Sequence, residues 1–217
     1  WHAQVNTTPK DGTDAEKIVV LAAVDCTGHG VPGALMSIIG GTILNQTITS
    51  SAVNSPADAL DFLNRELNNN LKDIHDGMDM SLVAINFKKM MLQYAGANNS
   101  IFIIRPSASS GTAEVIELEP DKQSIGNDAY HKHDKKFTNR IFDLQKDDCV
   151  YLFTDGYADQ FGGEKGKKLG YKKFQNLLLD ISVLELNQQK EKLHQAHMKW
   201  KGNLEQTDDI CIIGVRI

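Results

Sequence analysis

The chain has 217 residues, 41% hydrophobic and 24% charged, with 28 acidic against 23 basic side chains and a net charge of −5. That is enough chain for one large or two small domains with a sizeable core, and the acidic balance removes any electrostatic case for a nucleic-acid partner. Cys26, Cys149 and Cys211 show no CxxC spacing and read as reduced thiols of a cytoplasmic protein, and no run approaches the roughly 18 apolar residues of a membrane span.

No secretory leader is visible, and the abrupt start at Trp1 rather than Met reads as a piece of a longer protein. Trp1 to Thr7 can form a strand, followed by turn residues Pro9, Asp11, Gly12 and Asp14. Ile18 to Val24 reads as a fully buried strand, pairing with the first as a long-looped hairpin. From Val31, the residues Val31, Ala34, Leu35, Ile38, Ile39 and Ile43 have helical spacing. Gly40-Gly41 interrupts this pattern, either for close packing, the preferred reading, or as a flexible joint. Ser55-Pro56-Ala57-Asp58 predicts a second helix start, with Ser55 as N-cap, and Leu60, Leu63, Leu67 and Leu71 follow on one face.

Between Ser81 and Arg105 the period changes to that of strands. Leu82 to Phe87, Met90 to Ala95 and Ile101 to Ile104 predict a three-strand antiparallel meander, its second turn closed by Asn98-Asn99 with positive φ. Glu114 to Leu118 is a short strand. Pro120 to Asn139 reads as a long surface connection, and its His131 and His133 as solvated rather than metal-binding. Val150 to Phe153 is a buried strand ending in Thr154-Asp155-Gly156. A Gly-rich charged segment, Phe161 to Gly170, precedes helices over Tyr171–Asp180 and Leu184–Lys199. The latter carries His194 and His197, read as surface residues. Thr207-Asp208-Asp209 leads into a last strand, Ile210 to Ile217. Grouped strands and paired helices argue an α+β fold with antiparallel sheets covered by helix pairs.

Three carboxylates stand at strand ends: Asp25 before Cys26-Thr27-Gly28-His29-Gly30, Asp155 before Gly156, and Asp208 beside Asp209. Each alone is ordinary turn chemistry. Brought together they would repel, and a hard divalent cation with oxygen ligands resolves that. Two such ions about 3.5–4 Å apart can activate water for in-line phosphoryl transfer without a Ser or Cys nucleophile. The sequence carries no GxSxG and no Walker loop.

Five stretches carry a family resemblance. They are Asp25 to Leu35, Gly77 to Ser81, Ala95 to Asn99, Thr154 to Gly163 and Gln206 to Ile210. With these the chain resembles the PPM (type 2C) metal-dependent protein phosphatases, in particular the SpoIIE-like, sigma-factor-regulating serine phosphatases of bacteria. The resemblance implies a single phosphatase domain over residues 1–217, with two antiparallel sheets in a sandwich flanked by helix pairs. It implies hydrolysis of phosphoserine or phosphothreonine on a protein by metal-activated water. By the same resemblance Asp25, the Cys26 backbone carbonyl, Asp155 and Asp208 hold two Mn²⁺ or Mg²⁺ ions. Asp159 matches the position of a third, weaker metal, and Asp209 lies just outside the ligand set. The implied substrate is a small anti-anti-sigma-like phosphoserine protein. The implied context is the output module of a sensor in the same chain, cytoplasmic or tethered to a membrane through that sensor. A coiled coil ahead of Trp1 would make it a homodimer.

Two departures from the family pattern matter. Trp1 resembles the Trp that follows a metal-binding Asp in the family's first motif, so that Asp would lie upstream, and the expectation is partial or absent metal occupancy and low activity. His29 is displaced from the family's His and is read as shaping the turn rather than as a general acid. No Arg is assigned to grip the substrate phosphate. The alternative reading is a pseudo-phosphatase that binds a partner without turnover.

Overall fold

The computed structural model describes residues 2–7, 16–28, 31–49, 53–70, 77–106, 113–126 and 135–217. In chain order the elements are β1 (His2–Thr7), β2 (Glu16–Cys26), α1 (Val31–Thr49), α2 (Pro56–Asn70), β3 (Met78–Asn86), β4 (Met91–Ala97), β5 (Ile101–Pro106) and β6 (Ala113–Leu118). They continue with β7 (Arg140–Asp143), β8 (Cys149–Phe153), the single turn α3 (Gly156–Asp159), β9 (Phe161–Gly162), β10 (Lys167–Lys168), α4 (Tyr171–Ile181), α5 (Leu186–Lys201) and β11 (Ile212–Arg216). They form two units, Trp1–Ser100 with Glu119–Leu144, and Ile101–Leu118 with Gln145–Ile217. The architecture is α+β, as expected, with an antiparallel main sheet and a helix pair in each unit. No helix among the described residues is long and apolar enough to cross a membrane.

The first unit holds a five-stranded sheet in the order β1-β2-β3-β4-β7. The β1–β2 hairpin forms as expected, with Val5 opposite Ile18, but β2 runs on through Asp25 and Cys26. It is not fully buried: Val20, Ala22 and Ala23 are buried while Ile18, Val19, Leu21 and Val24 are half-buried. The helix pair packs on one face of this sheet, with Met36, Leu44, Leu60, Leu63 and Leu67 meeting Val20, Ala22, Met78, Met80 and Leu82. Ser55 caps α2 as its sequence predicts: its Oγ accepts the Asp58 amide at 3.2 Å and donates to Asp58 Oδ2 at 2.9 Å.

Helix α1 spreads apolar residues around most of its circumference, among the exposed polar Ser37, Thr42, Asn45 and Gln46, so spacing alone does not select its buried face. Met36, Gly40, Leu44 and Thr47 point inward, whereas Val31, Leu35 and Ile38 are exposed. The two glycines differ in what surrounds them. A Cβ on Gly40 would lie 2.6 Å from Met78 Cε, which is close packing, while Gly41 faces open space.

The expected three-strand meander is corrected. β3 and β4 pair, but β5 enters the other unit's sheet between β6 and β8, and the free edge of β4 goes to β7. Of the two predicted turn residues Asn98 alone has positive φ, at 57°, and the turn closes no hairpin between β4 and β5. Beyond it the chain takes another course. The Asn98 amide donates to the Asp121 carbonyl, and Tyr94 Oη donates to the Asn99 carbonyl at 2.7 Å, so the chain is led away from β4 instead of back along it. The connection over Pro120–Asn139 is also more than a surface loop. Ile125 and Phe137 join the first core, and α2 ties both sides of the segment, Asn64 Oδ1 accepting the Gly126 amide and Asp61 Oδ1 the Phe137 amide. Leu71, His131 and His133 lie outside the described residues.

The second unit has the sheet order β11-β8-β5-β6, with α4 and α5 on it. Its core is aromatic: Phe153 meets Phe174 edge-on at 5.2 Å and Phe102 at 4.6 Å. The predicted helix α5 buries His197, whose ring lies 5.5 Å from Tyr157 and whose Nε2 sits 3.3 Å from Gln160 Oε1; this correction leaves only His194 at the surface. Asp148 is fully buried, paired by both Arg105 Nε at 3.0 Å and Nη2 at 2.7 Å, and also accepts the Gln145 amide.

Candidate functional site

In the first unit, Asp25 is the penultimate residue of β2 and is half-buried. The strand end is held by Thr27. Its amide and its Oγ1 both donate to the Gly77 carbonyl, at 2.9 and 2.8 Å, and its Oγ1 accepts the Gly77 amide at 2.6 Å. The register sets Asp25 directly across from Asp79 on β3. Directly opposed residues share a face of the sheet, and two carboxylates there repel. Asp79 is restrained in turn: Asn98 Nδ2 donates to its Oδ1 at 2.9 Å and Ser124 Oγ at 2.6 Å. The sequence shows Asp79 within the Gly77–Ser81 stretch but gives it no role, because the pairing exists only in the register.

Cys26 follows on the same strand. Burial pushes its thiol pKa up, a hydrogen bond with Ser37 opposes this, and the Asp25 charge adds to the rise. A raised thiol pKa makes Cys26 a poor nucleophile. His29 and Gly30 lie outside the described residues.

In the second unit, Asp155 stands at the N-cap of α3 directly after β8. Asp208 lies in the bend before β11. These two offer carboxylate oxygens within 4.8 Å of one another although 53 residues separate them. Thr154 draws the two segments together: its amide donates to the Cys211 carbonyl at 3.0 Å, its Oγ1 accepts the Cys211 amide at 3.0 Å, and Oγ1 donates to the Asp209 carbonyl at 3.2 Å. Gly156 lets them close, since a Cβ there would lie 2.3 Å from the Asp209 carbonyl oxygen and 3.3 Å from Asp208 Cβ. Asp208 Oδ1 accepts the Asp209 amide at 2.8 Å, which orients that carboxylate. The Asp209 side chain is exposed.

Asp159 ends α3 with its amide on the Asp155 carbonyl at 2.9 Å. Its Oδ2 accepts Lys168 Nζ at 2.5 Å. Tyr171, at the start of α4, has its hydroxyl pKa pushed up to about 12, by burial first and then by the charges of Asp155 and Asp159. Lys168 and Tyr171 escape a reading of the sequence; one sits in a lysine run and the other opens a helix, and neither carries a motif.

The donor set is all oxygen. Carboxylate oxygens within 4.8 Å can share one small divalent ion at about 2.1 Å from each after slight adjustment, which suits Mg²⁺ or Mn²⁺. The arrangement can thus concentrate positive charge on a bound phosphoryl group.

Residues 15–217 match the family described as stage II sporulation protein E (SpoIIE). Among solved structures, the SiaA-PP2C domain of Pseudomonas aeruginosa is 29% identical, with a TM-score of 0.81 over 100% of this chain and 80% of that one. The RsbU and RsbW domains of Rv1364c from Mycobacterium tuberculosis are 20% identical, with a TM-score of 0.69 over 92% of this chain and 51% of that one. The PP2C phosphatase domain of SpoIIE from Bacillus subtilis, solved with a fragment of its regulatory domain, is 16% identical, with a TM-score of 0.68 over 99% of this chain and 60% of that one. The chain therefore spans about half and three fifths of the last two. Among curated proteins no relative matches.

Proposed function

The chain belongs to the SpoIIE family of PP2C-type phosphatases, and we propose that it hydrolyses phosphoserine or phosphothreonine esters on a protein. The observation that carries this reading is the Asp155–Asp208 pair, closed to within 4.8 Å by the Thr154 bonds and the missing Cβ of Gly156. The proposed ligand set for two Mn²⁺ or Mg²⁺ ions is Asp25, the Cys26 carbonyl, Asp155 and Asp208, with Asp159 and Asp209 at its margin. When bound, such ions lower the pKa of water and offset the charge of the phosphoryl oxygens.

The protein's own part is placement. Thr27 holds the strand end that carries Asp25, and Thr154 holds Asp155 against the segment of Asp208. Asp79, restrained by Asn98 and Ser124, adds negative charge beside Asp25 and so strengthens the demand for a cation there. The substrate proposed is a small anti-anti-sigma-like phosphoserine protein. The setting proposed is the cytoplasmic output module of a sensor in the same polypeptide, working as a homodimer.

The test is phosphate release from a phosphoserine protein by the wild-type chain and by Asp208→Asn, with and without Mn²⁺. The expected result is Mn²⁺-dependent release that falls at least about 100-fold in Asp208→Asn. Equal rates in the two proteins would refute the reading. Tight binding of the phosphoprotein without release would favour the partner-binding alternative.

A further inference from the structure

We propose that Lys168 is the substrate-positioning cation of this site: its ammonium, held on Asp159 in the resting protein, moves onto the phosphoryl group when substrate binds. The inference rests on the phosphatase reading above and concerns only the second unit.

The lysine is delivered by a stiff hairpin. β9 and β10 pair with Lys168 opposite Phe161 and Lys167 opposite Gly162. The returning strand is stitched to the turn after Asp155, the Leu169 amide donating to the Gln160 carbonyl at 3.0 Å and the Gly170 amide to the Ala158 carbonyl at 2.7 Å. The other edge is fixed to α5: the Gly163 amide donates to the Trp200 carbonyl, and Trp200 Nε1 donates to the Gln160 carbonyl, both at 2.9 Å. A Cβ on Gly162 would lie 2.0 Å from the Trp200 carbonyl oxygen, so the hairpin lies flat on that helix. The backbone of Lys168 is thereby set, and its long side chain carries the remaining freedom.

That side chain reaches Asp159. Lys168 Nζ lies 2.5 Å from Asp159 Oδ2. Asp159 closes the single turn that Asp155 begins, its amide on the Asp155 carbonyl at 2.9 Å, so the ammonium is held on the same turn as that candidate ligand. The Lys168 side chain is 51% exposed. Water screens an ion pair that exposed and leaves it weak, so exchanging a carboxylate for a phosphoryl oxygen costs little. A lysine ammonium is also a common phosphate partner, acting as a mobile point charge.

Three other cations of the unit are held elsewhere. Arg105 is bound to the buried Asp148, Arg216 Nη2 donates to the Ser182 and Leu184 carbonyls, and Lys173 Nζ lies over the Trp200 ring at 3.9 Å. Lys165 and Lys167 share the hairpin, but it is Lys168 that the structure turns onto the Asp155–Asp159 turn.

The test uses the full chain as wild type, Lys168→Met, Lys168→Arg, Asp159→Asn, and Lys168→Met combined with Asp159→Asn. Two readouts are taken: calorimetric affinity for inorganic phosphate in the presence of Mn²⁺, and kcat and KM for a phosphoserine peptide. Lys168→Met is expected to weaken phosphate binding and raise KM, each about tenfold, with kcat within about twofold, as for contacts shared by ground and transition states. Lys168→Arg restores most of the loss. Asp159→Asn, which releases the ammonium, tightens phosphate binding.

A lysine that merely neutralises Asp159 predicts something else. In an Asp159→Asn background, where no charge is left to neutralise, adding Lys168→Met would then leave phosphate affinity unchanged; that result overturns the proposal, as does a wild-type chain that binds no phosphate. Failure of the phosphatase reading registers separately, as turnover that is absent from the wild type or insensitive to Asp208→Asn, while phosphate affinity still judges Lys168.

Discussion

Alanine at position 156 would put a methyl group 2.3 Å from the Asp209 carbonyl oxygen, about 1 Å short of ordinary contact. The obstacle is backbone, so the Asp208–Asp209 segment must retreat. It is held by Thr154 Oγ1 at 3.2 Å on the Asp209 carbonyl, and that bond is lost first. Overpacking of this kind costs about 1–3 kcal/mol and a lost hydrogen bond about 1 kcal/mol, so G156A should be destabilised by about 2–4 kcal/mol. For a chain of this length that lowers Tm by about 4–16 °C, which leaves the protein folded at 20 °C. Activity should suffer more. Misplacing a catalytic constellation by about 1 Å costs about 100-fold, so kcat/KM for p-nitrophenyl phosphate should fall by that order and the Mn²⁺ requirement should rise. G202A is the matched control. Gly202 has φ 56 and open space where its Cβ would be, so alanine there costs about 1 kcal/mol and leaves kcat/KM unchanged. A folded G156A with wild-type kcat/KM and Mn²⁺ dependence would refute the argument that Gly156 sets the approach of Asp208 to Asp155.

Gly41→Ala should stabilise the protein by about 0.5–1 kcal/mol, since the site is helical and open, while Gly40→Ala should gain nothing because its methyl meets Met78 Cε at 2.6 Å; thermal melts of the two variants decide this. Arg105→Met leaves the fully buried Asp148 without its ion-pair partner and should cost about 3–5 kcal/mol, read as a lower urea midpoint at unchanged m-value; a loss under about 1 kcal/mol would contradict it. Burial first, then Lys201 and His194, lower the His197 pKa below its unfolded value. The unfolded chain therefore takes up the proton at higher pH than the folded one. The stability held by neutral His197 is complete above about pH 6.5 and is lost as pH falls from there toward its folded pKa. His197→Gln should flatten the dependence of Tm on pH in that window, and an unaltered slope would exclude His197 as its source.

The parts of the fold that are legible in the sequence are those with local causes. The α2 start is readable because Ser55 and Asp58 cap each other within one turn, and β8 because the apolar run Val150–Phe153 needs no partner to identify it. The destination of β5 is not readable. Ile101–Ile104 suits a strand next to β4 as well as one next to β8, and the choice lies in bonds from Asp121, about 20 residues onward. β7 escapes notice because Arg140–Asp143 is short, alternating and embedded in charged sequence. The candidate site divides likewise. Asp25, Asp155 and Asp208 stand out as carboxylates at strand ends, whereas Asp79 acquires meaning only opposite Asp25, and Lys168 is indistinguishable from Lys165 and Lys167 until the hairpin register turns it onto Asp159.

Placing ligands at strand ends creates a physical problem, because ladder ends fray and a fraying carboxylate cannot keep a fixed direction. Each unit answers with a threonine. Thr27, two residues after Asp25, uses one hydroxyl to donate to the Gly77 carbonyl and to accept its amide. Thr154, one residue before Asp155, does the same with the Asp209 carbonyl and the Cys211 amide. In both, a backbone amide of the threonine adds a third bond to the same partner segment. A hydroxyl can close a ladder in this way because it donates and accepts at one atom, and the β-branched side chain also suits the strand. Valine keeps the branch and loses both bonds; serine keeps the bonds and loses the branch. If the clamp is what matters, serine at 27 or 154 retains most metal-dependent activity and valine does not, while a purely steric role for the branch predicts the reverse order.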